Sequence, residues 1–433
     1  MNSQLSSALL IGVDGGATEA KAHAVVCRVT GQGTAFTLRP EAAGRVYPRV
    51  AAFTPLPVAD QLMQRDMGKI APTPAEVEQG ALWITAAAHA IVAVARRCHA
   101  ARVLVGIGMP GLKTADGRGI CVLNNGPRMP RYLDVLTERL AAAGVALAAP
   151  IAALGSDADY CGLGEEHAAD GLFRDVQHAY YCGGGTGIAD ALKLHGRLIP
   201  FDTAKSWIQK SWQMPSALGP PFEKLVSAAA LNRLWHDLTT GGEGEAPAEP
   251  KSGEVQAPAE PKSGEGEAPA EPKAPAEPPA APAPPPYPEL AAAAGHRLAL
   301  SLLDTTALVL AELLFERLWT VKNGRADAPH RGLAYAALAR AHTFRGTILD
   351  RIIIGQRIGR IYGDPALRSL FADRVERCLA ALIADSGDVE LVAAWLAPHT
   401  TPPLLQPGRI RASRLRAAPA LGAAVAAVRA LPT

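Results

Sequence analysis

Two short glycine turns carry the residues of this chain best suited to chemistry. The first lies in residues 10–22 (LIGVDGGATEAKA): an apolar run ends at Asp14, turns through Gly15 and Gly16, and presents Thr18 and Lys21. Two positions without a Cβ let backbone approach a ligand closely. A carboxylate beside them suits a magnesium ion and the phosphates it accompanies. The second turn, Gly183-Gly184-Gly185-Thr186-Gly187, follows another apolar run at 176–182. The pair strengthens the phosphate reading; a glycine hairpin with a merely polar tip is the competing reading of the first turn alone.

Positioning such turns takes an α/β layer. Residues 9–13 read as a buried strand with 22–27 as its hairpin partner, and 31–39 as a third antiparallel strand. Residues 40–70 read as loop with a short helix. A long helix is expected at 73–98, with Pro74 in its first turn and Arg96 and Arg97 near its end. A strand at 102–109 follows, so strand, helix and strand imply a parallel crossover. Further helices are expected at 130–144, 160–172, 221–238, 331–344 and 366–387. Residues 189–198 read as the return strand after the second turn, and 350–359 as a buried strand entering another glycine turn. Residues 408–431 read as a short strand and an alanine-rich helix.

With 433 residues the chain has room for a large core and two domains. Its net charge of only +2 gives no case for nucleic acid or an anionic membrane as partner. Six scattered cysteines lack paired zinc spacing and read as reduced thiols, with the cytoplasm as the default compartment. The N-terminus has no secretion-signal pattern. The apolar stretch 298–318 is punctuated by Asp304, Glu312 and Glu316, so it reads as a buried helix rather than a membrane span. Composition breaks at 241–288, where fourteen of 48 residues are proline and nine Glu face three Lys. APAEPKSGE occurs there twice. Such a tract cannot repay the entropy of ordering and reads as an extended spacer, a surface loop inflated in place.

Taken in order, DGGAT at 14–18, SDADYCGLGE at 156–165, GGGTGIA at 183–189, IIIGQRIG at 352–359 and LGAAVAA at 421–427 resemble the ROK family of bacterial sugar kinases and their relatives. That family belongs to the sugar kinase, Hsp70 and actin superfamily. The resemblance implies an α/β, two-lobed, ribonuclease H-like (actin-like ATPase) fold with a cleft between the lobes. One lobe would span 1–150 and the other 151–414 with the 241–288 insert inside it; a last helix near 415–431 would cross back to the first lobe. Asp14, Gly15, Gly16 and Thr18 match the first phosphate turn, with Asp14 near magnesium, directly or through water. Gly184, Gly185, Thr186 and Gly187 match the second turn, beneath the nucleotide phosphates. Gly355 matches a glycine near the adenosine, and Gln356 stands where the family has a second one. Asp157 matches the general base, flanked here by Ser156 and Asp159 rather than asparagines. Asn124 or Asn125 matches the asparagine that holds a sugar hydroxyl.

The implied activity is transfer of a phosphoryl group from ATP, with magnesium, to a hydroxyl of a sugar or polyol; Asp157 would accept its proton. A capping carboxylate at a strand-to-helix junction is the alternative for Asp157. The family's Gly-Glu-x-Gly-His stretch and its zinc-binding cysteines are missing, so no structural zinc is expected. Residues 197–214 instead carry Asp202, Lys205, Trp207 and Trp212, with core the expected place of at least one tryptophan. Two rivals stand beside the kinase: a kinase-like protein that binds a ligand or partner without transfer, and an acceptor-independent ATPase of the same superfamily. Dimers are common among such relatives, which leaves a homodimer open.

Overall fold

The computed structural model describes residues 8–31, 33–241 and 287–432. The expected spacer therefore falls, from 242 to 286, outside the described residues. Strands β1 (Leu9–Gly15), β2 (Glu19–Thr30) and β3 (Gly33–Val46) form an antiparallel meander. Helix α1 (Val58–Asp66) and helix α2 (Pro74–Arg97) lead to β4 (Arg102–Met109), which pairs parallel with β1. Short strands β5 (Leu112–Lys113) and β6 (Ile120–Val122) precede helix α3 (Tyr132–Ala142). Strands β7 (Ala146–Leu147) and β8 (Gly155–Ser156) then add to β4. The sheet order is β3-β2-β1-β4-β7, with β8 beside β4.

Alternation along β1 explains how this sheet is covered on both faces. Ile11 and Val13 join Ile91, Val105 and Leu136 in one core under α2 and α3. Leu10 points the other way and packs with Leu104, Leu421 and Val425. A capping box starts α2: Thr73 accepts the Glu76 N–H, and Glu76 reaches back to the Thr73 N–H.

Helix α4 (Asp157–His167) leads to the second sheet, ordered β11-β10-β9-β12-β13. Its strands are β9 (Ala179–Gly184), β10 (Ile188–Leu194), β11 (Arg197–Ile199), β12 (Arg351–Gly355) and β13 (Ile410–Ala412). The longer helices of this half of the chain are α5 (Ala228–Thr240), α6 (Arg297–Asn323), α7 (Gln356–Gly363) and α8 (Asp373–Asp385). Period two again splits the faces: Tyr180, Cys182, Ile352 and Ile354 pack toward the long helices. Tyr181, Ala189, Ala191 and Ile353 pack toward Cys161 and Phe173.

The last helix, α9 (Ala418–Arg429), lies on the first sheet and on α4 together. Its backbone comes so close that a Cβ on Gly12 of β1 would stand 1.8 Å from the Ala420 carbonyl oxygen. A Cβ on Gly422 would stand 1.9 Å from the Tyr160 carbonyl oxygen. Helices α2 and α6 are long and apolar enough to cross a membrane by length and composition, but 61% and 56% of their most apolar windows are buried inside the protein.

Four expectations are corrected. Residues 40–46 are strand, not loop: the β2–β3 register shifts between His23 and Val25, so the edge strand bulges around Pro40, which has no N–H to give. The helix expected at 331–344 is only Gly332–Ala336, because Ser206 O and the Arg325 guanidinium take backbone groups at Ala339 and Leu338. The return strand 189–198 breaks at His195-Gly196, both at positive φ, into β10 and β11. No glycine turn follows Gly355, since α7 begins at the next residue.

Candidate active site

Three neighbouring strand ends bring the two key carboxylates together. Asp14 lies opposite Gly108 across β1 and β4, and Gly108 lies opposite Gly155 on β8. Two residues past Gly155, Asp157 opens α4, capped by the Ser156 hydroxyl accepting the Asp159 N–H at 3.3 Å. Gly108 permits this approach, for a Cβ there would lie 3.5 Å from Asp157 Cα and 2.9 Å from the Tyr160 ring. Burial, then the charge of Asp157, pushes the Asp14 carboxyl up to about 7, with Lys21 pulling the other way and Glu19 adding to the rise. Lys21 itself is paired with Glu19 at 2.7 Å. The Ala158 N–H donates to Asp157 Oδ1 at 3.0 Å.

The first turn closes as expected, with Asp14 opposite Lys21 and Gly15 opposite Ala20; Gly16 is half-buried while Ala17 and Thr18 are exposed. A Cβ on Gly15 would strike Met109 Sδ at 2.0 Å. In the second, Gly184 pairs with Ile188, and the Gly185 N–H donates to the Gly187 carbonyl at 2.9 Å, leaving Thr186 exposed at the tip. The Gly185 carbonyl accepts the Ala229 N–H at 3.3 Å, which ties the turn to the start of α5.

Gly355 lies opposite Gly183, and both press on Tyr181: a Cβ on Gly355 would be 2.1 Å from the Tyr181 hydroxyl. Gln356 follows at φ +57° and forms a bridge to Gly184. Asn124 and Asn125 lie exposed in the loop after β6, and neither side chain is hydrogen-bonded among the described residues. Gln61 holds that loop through the Leu123 backbone, and a buried Glu76–Arg128 pair at 2.7 Å anchors its end.

Sequence reasoning missed two charged groups here. Glu223 accepts the Ile188 N–H at 2.9 Å, directly beneath the second turn; a Cβ on Gly187 would come 2.6 Å from its Oε2. Burial raises its carboxyl above the ordinary range, the Ile188 N–H opposes that, and Asp190 and Asp157 add to it. Lys113 donates to the carbonyls of Met109 and Gly111, at 2.7 Å each. Burial pulls its ammonium down to about 8, against the holding effect of Asp157 and Asp202. Neither group belongs to a motif; the only hints were a carboxylate at a helix start and a lysine just after Pro110-Gly111.

Asp190 and Lys193 of β10 are both buried, and Lys193 pairs with Glu166 at 2.6 Å. Asp190 accepts from the Tyr180 hydroxyl, Ser211 and Arg317, locking residues 201–211 against the second sheet. In that segment Asp202 pairs with Lys205 and Lys210 at 2.8 and 3.2 Å. Trp207 is core, stacked on His342 at 4.0 Å, while Trp212 is 42% exposed. Asp159, raised by burial, adjoins Asp157, Asp202 and Lys210.

A three-stranded meander extended by parallel strands, repeated in a second sheet and spanned by a returning helix, defines the two-lobed actin-like ATPase fold. No family model and no curated protein matches the chain. Solved structures do. A ROK family glucokinase from Streptomyces griseus, in complex with glucose and AMPPNP, shares 14% identity over 97% of this chain and 99% of its own, with a TM-score of 0.50. A ROK hexokinase from Thermus thermophilus shares 15% identity over 97% and 98%, at 0.48. A ROK family transcriptional regulator, a homolog of the E. coli MLC protein, shares 12% over 98% of this chain and 78% of its own, at 0.47. The resemblance read from the motifs is thus met at the level of the fold.

Proposed function

We propose that the protein transfers a phosphoryl group from ATP to a hydroxyl of a sugar or sugar-like polyol. The carrying observation is the meeting of Asp14 and Asp157 beside Gly108, each next to a strand end, with the first glycine turn directly after Asp14. The glucose and AMPPNP of the Streptomyces griseus structure, which has the same fold, support the substrate classes. Asp157, held at one oxygen by the Ala158 N–H, would accept the proton of the attacking hydroxyl. Gly16 leaves backbone open to phosphates, Thr186 is exposed at the tip of the second turn, and Gly355 would lie on the donor side. Asn124 and Asn125 stand ready in an exposed loop to meet the acceptor.

The residues fit a magnesium ion. Asp14 is a half-buried carboxyl beside another carboxylate, with Lys21 engaged by Glu19. A divalent cation held there would offset charge on the phosphates.

Acceptor-dependent ADP release across hexoses, hexosamines and polyols tests the reading. Asp157→Asn should lower it at least about a hundredfold, within the range expected for losing a general base. Equal turnover in wild type and variant would sink the assignment. One observation favours a binding protein without transfer: the Asp202, Lys205 and Lys210 ion-pair cluster fills residues 202–210. Nucleotide binding with no turnover on any acceptor would select that second reading.

A further inference from the structure

Gln356 is a long polar side chain on a backbone conformation that suits glycine. Its φ of +57° lies in the left-handed region that L-residues rarely adopt. What that strain holds in place is specific. The Gln356 backbone extends the β12–β9 ladder by one bridge to Gly184, so the residue is fixed beside the second glycine turn. Tyr181 fills the space under Gly183 and Gly355. The Gln356 carboxamide lies across Gly185 instead: a Cβ there would stand 2.3 Å from Oε1. Among the described residues, the carboxamide's one hydrogen bond is a long contact from Nε2 to Cys161 Sγ at 3.9 Å, to a weak acceptor. A half-buried carboxamide thus rests on the turn with most of its bonding capacity unused.

We propose that Gln356 is a donor-positioning residue, whose carboxamide hydrogen-bonds the nucleoside polyphosphate seated over the second glycine turn. The inference rests on the proposed nucleotide site but not on the acceptor or on transfer. The amide N–H groups suit phosphate or ribose oxygens, and the bridge to Gly184 fixes the residue's backbone beside the turn. Replacement of the amide by an acid of the same shape would set a negative charge against the phosphates.

The test is calorimetric titration of the full chain with magnesium ADP. Gln356→Gly and Gln356→Glu should each bind at least about tenfold more weakly than wild type. Gln356→Gly should also melt higher, because glycine relieves the strain. Gln356→Gly therefore keeps the test decisive even where the acid fails to fold. Binding equal to wild type in both folded variants would overturn the proposal and leave the kinase reading standing. Weakened binding in a protein with no acceptor-dependent turnover would uphold Gln356 and overturn the kinase reading. No binding by wild type would overturn both.

Discussion

Asp14 is where a single residue sets measurable behaviour. Its folded-state value near 7 lies above its ordinary 3.8, so the folded state holds this proton more tightly than the unfolded chain does. The group's contribution is therefore most favourable below about pH 4 and is lost as pH rises toward 7. Asp14→Asn removes that dependence. Denaturation of both proteins in the absence of magnesium should show the variant gaining on wild type by on the order of 4 kcal/mol between pH 4 and pH 8. On the proposed reading, in which the ionised Asp14 carboxylate holds magnesium, the affinity for the ion in the presence of ADP should rise about tenfold per unit from pH 5 to 7 and then level. Asp14 and Asp157 were legible because each sits in a short pattern. Glu223 and Lys113 were not, since only tertiary contact, far from any local spacing, brings them to the turn and to Asp157.

At the scale of elements, α9 shows how far backbone proximity governs the fold. Gly12→Ala would drive a methyl into the Ala420 carbonyl, and the helix cannot retreat without also leaving α4. A loss of roughly 3 kcal/mol is expected by urea denaturation, with nucleotide affinity falling alongside. An unchanged midpoint would show the helix to be loosely seated. Long periodic elements were readable in advance: α2 with Pro74 in its first turn, β4, and the small-residue helix itself. The misread stretches share a cause. Pro40 in a bulge, Gly332 at the start of a truncated helix and Gln356 at positive φ all depend on what a neighbour supplies, which local propensity does not encode.

Residues 242–286 separate two parts of the described chain, and one arginine bears on both flanks. Arg357, buried next to Gln356, donates to Asn232 of α5 at 2.9 Å and to Glu289 at 2.7 Å, and stacks over Tyr287 at 4.6 Å. Segments 45 or more residues apart in sequence thus converge on one guanidinium. Continuity of the polypeptide between Gly241 and Tyr287 then adds little to holding the flanks together. Residues 1–241 and 287–433, produced as two separate polypeptides, are expected to assemble. Their interface would include the full β9–β12 ladder, α9 on the first sheet and the Arg357 bonds. Size-exclusion chromatography of the coexpressed halves should give one species of their summed mass that binds ADP like the intact chain; two separate peaks would refute it. The protein would then behave as an obligate heterodimer that happens to be encoded in one reading frame.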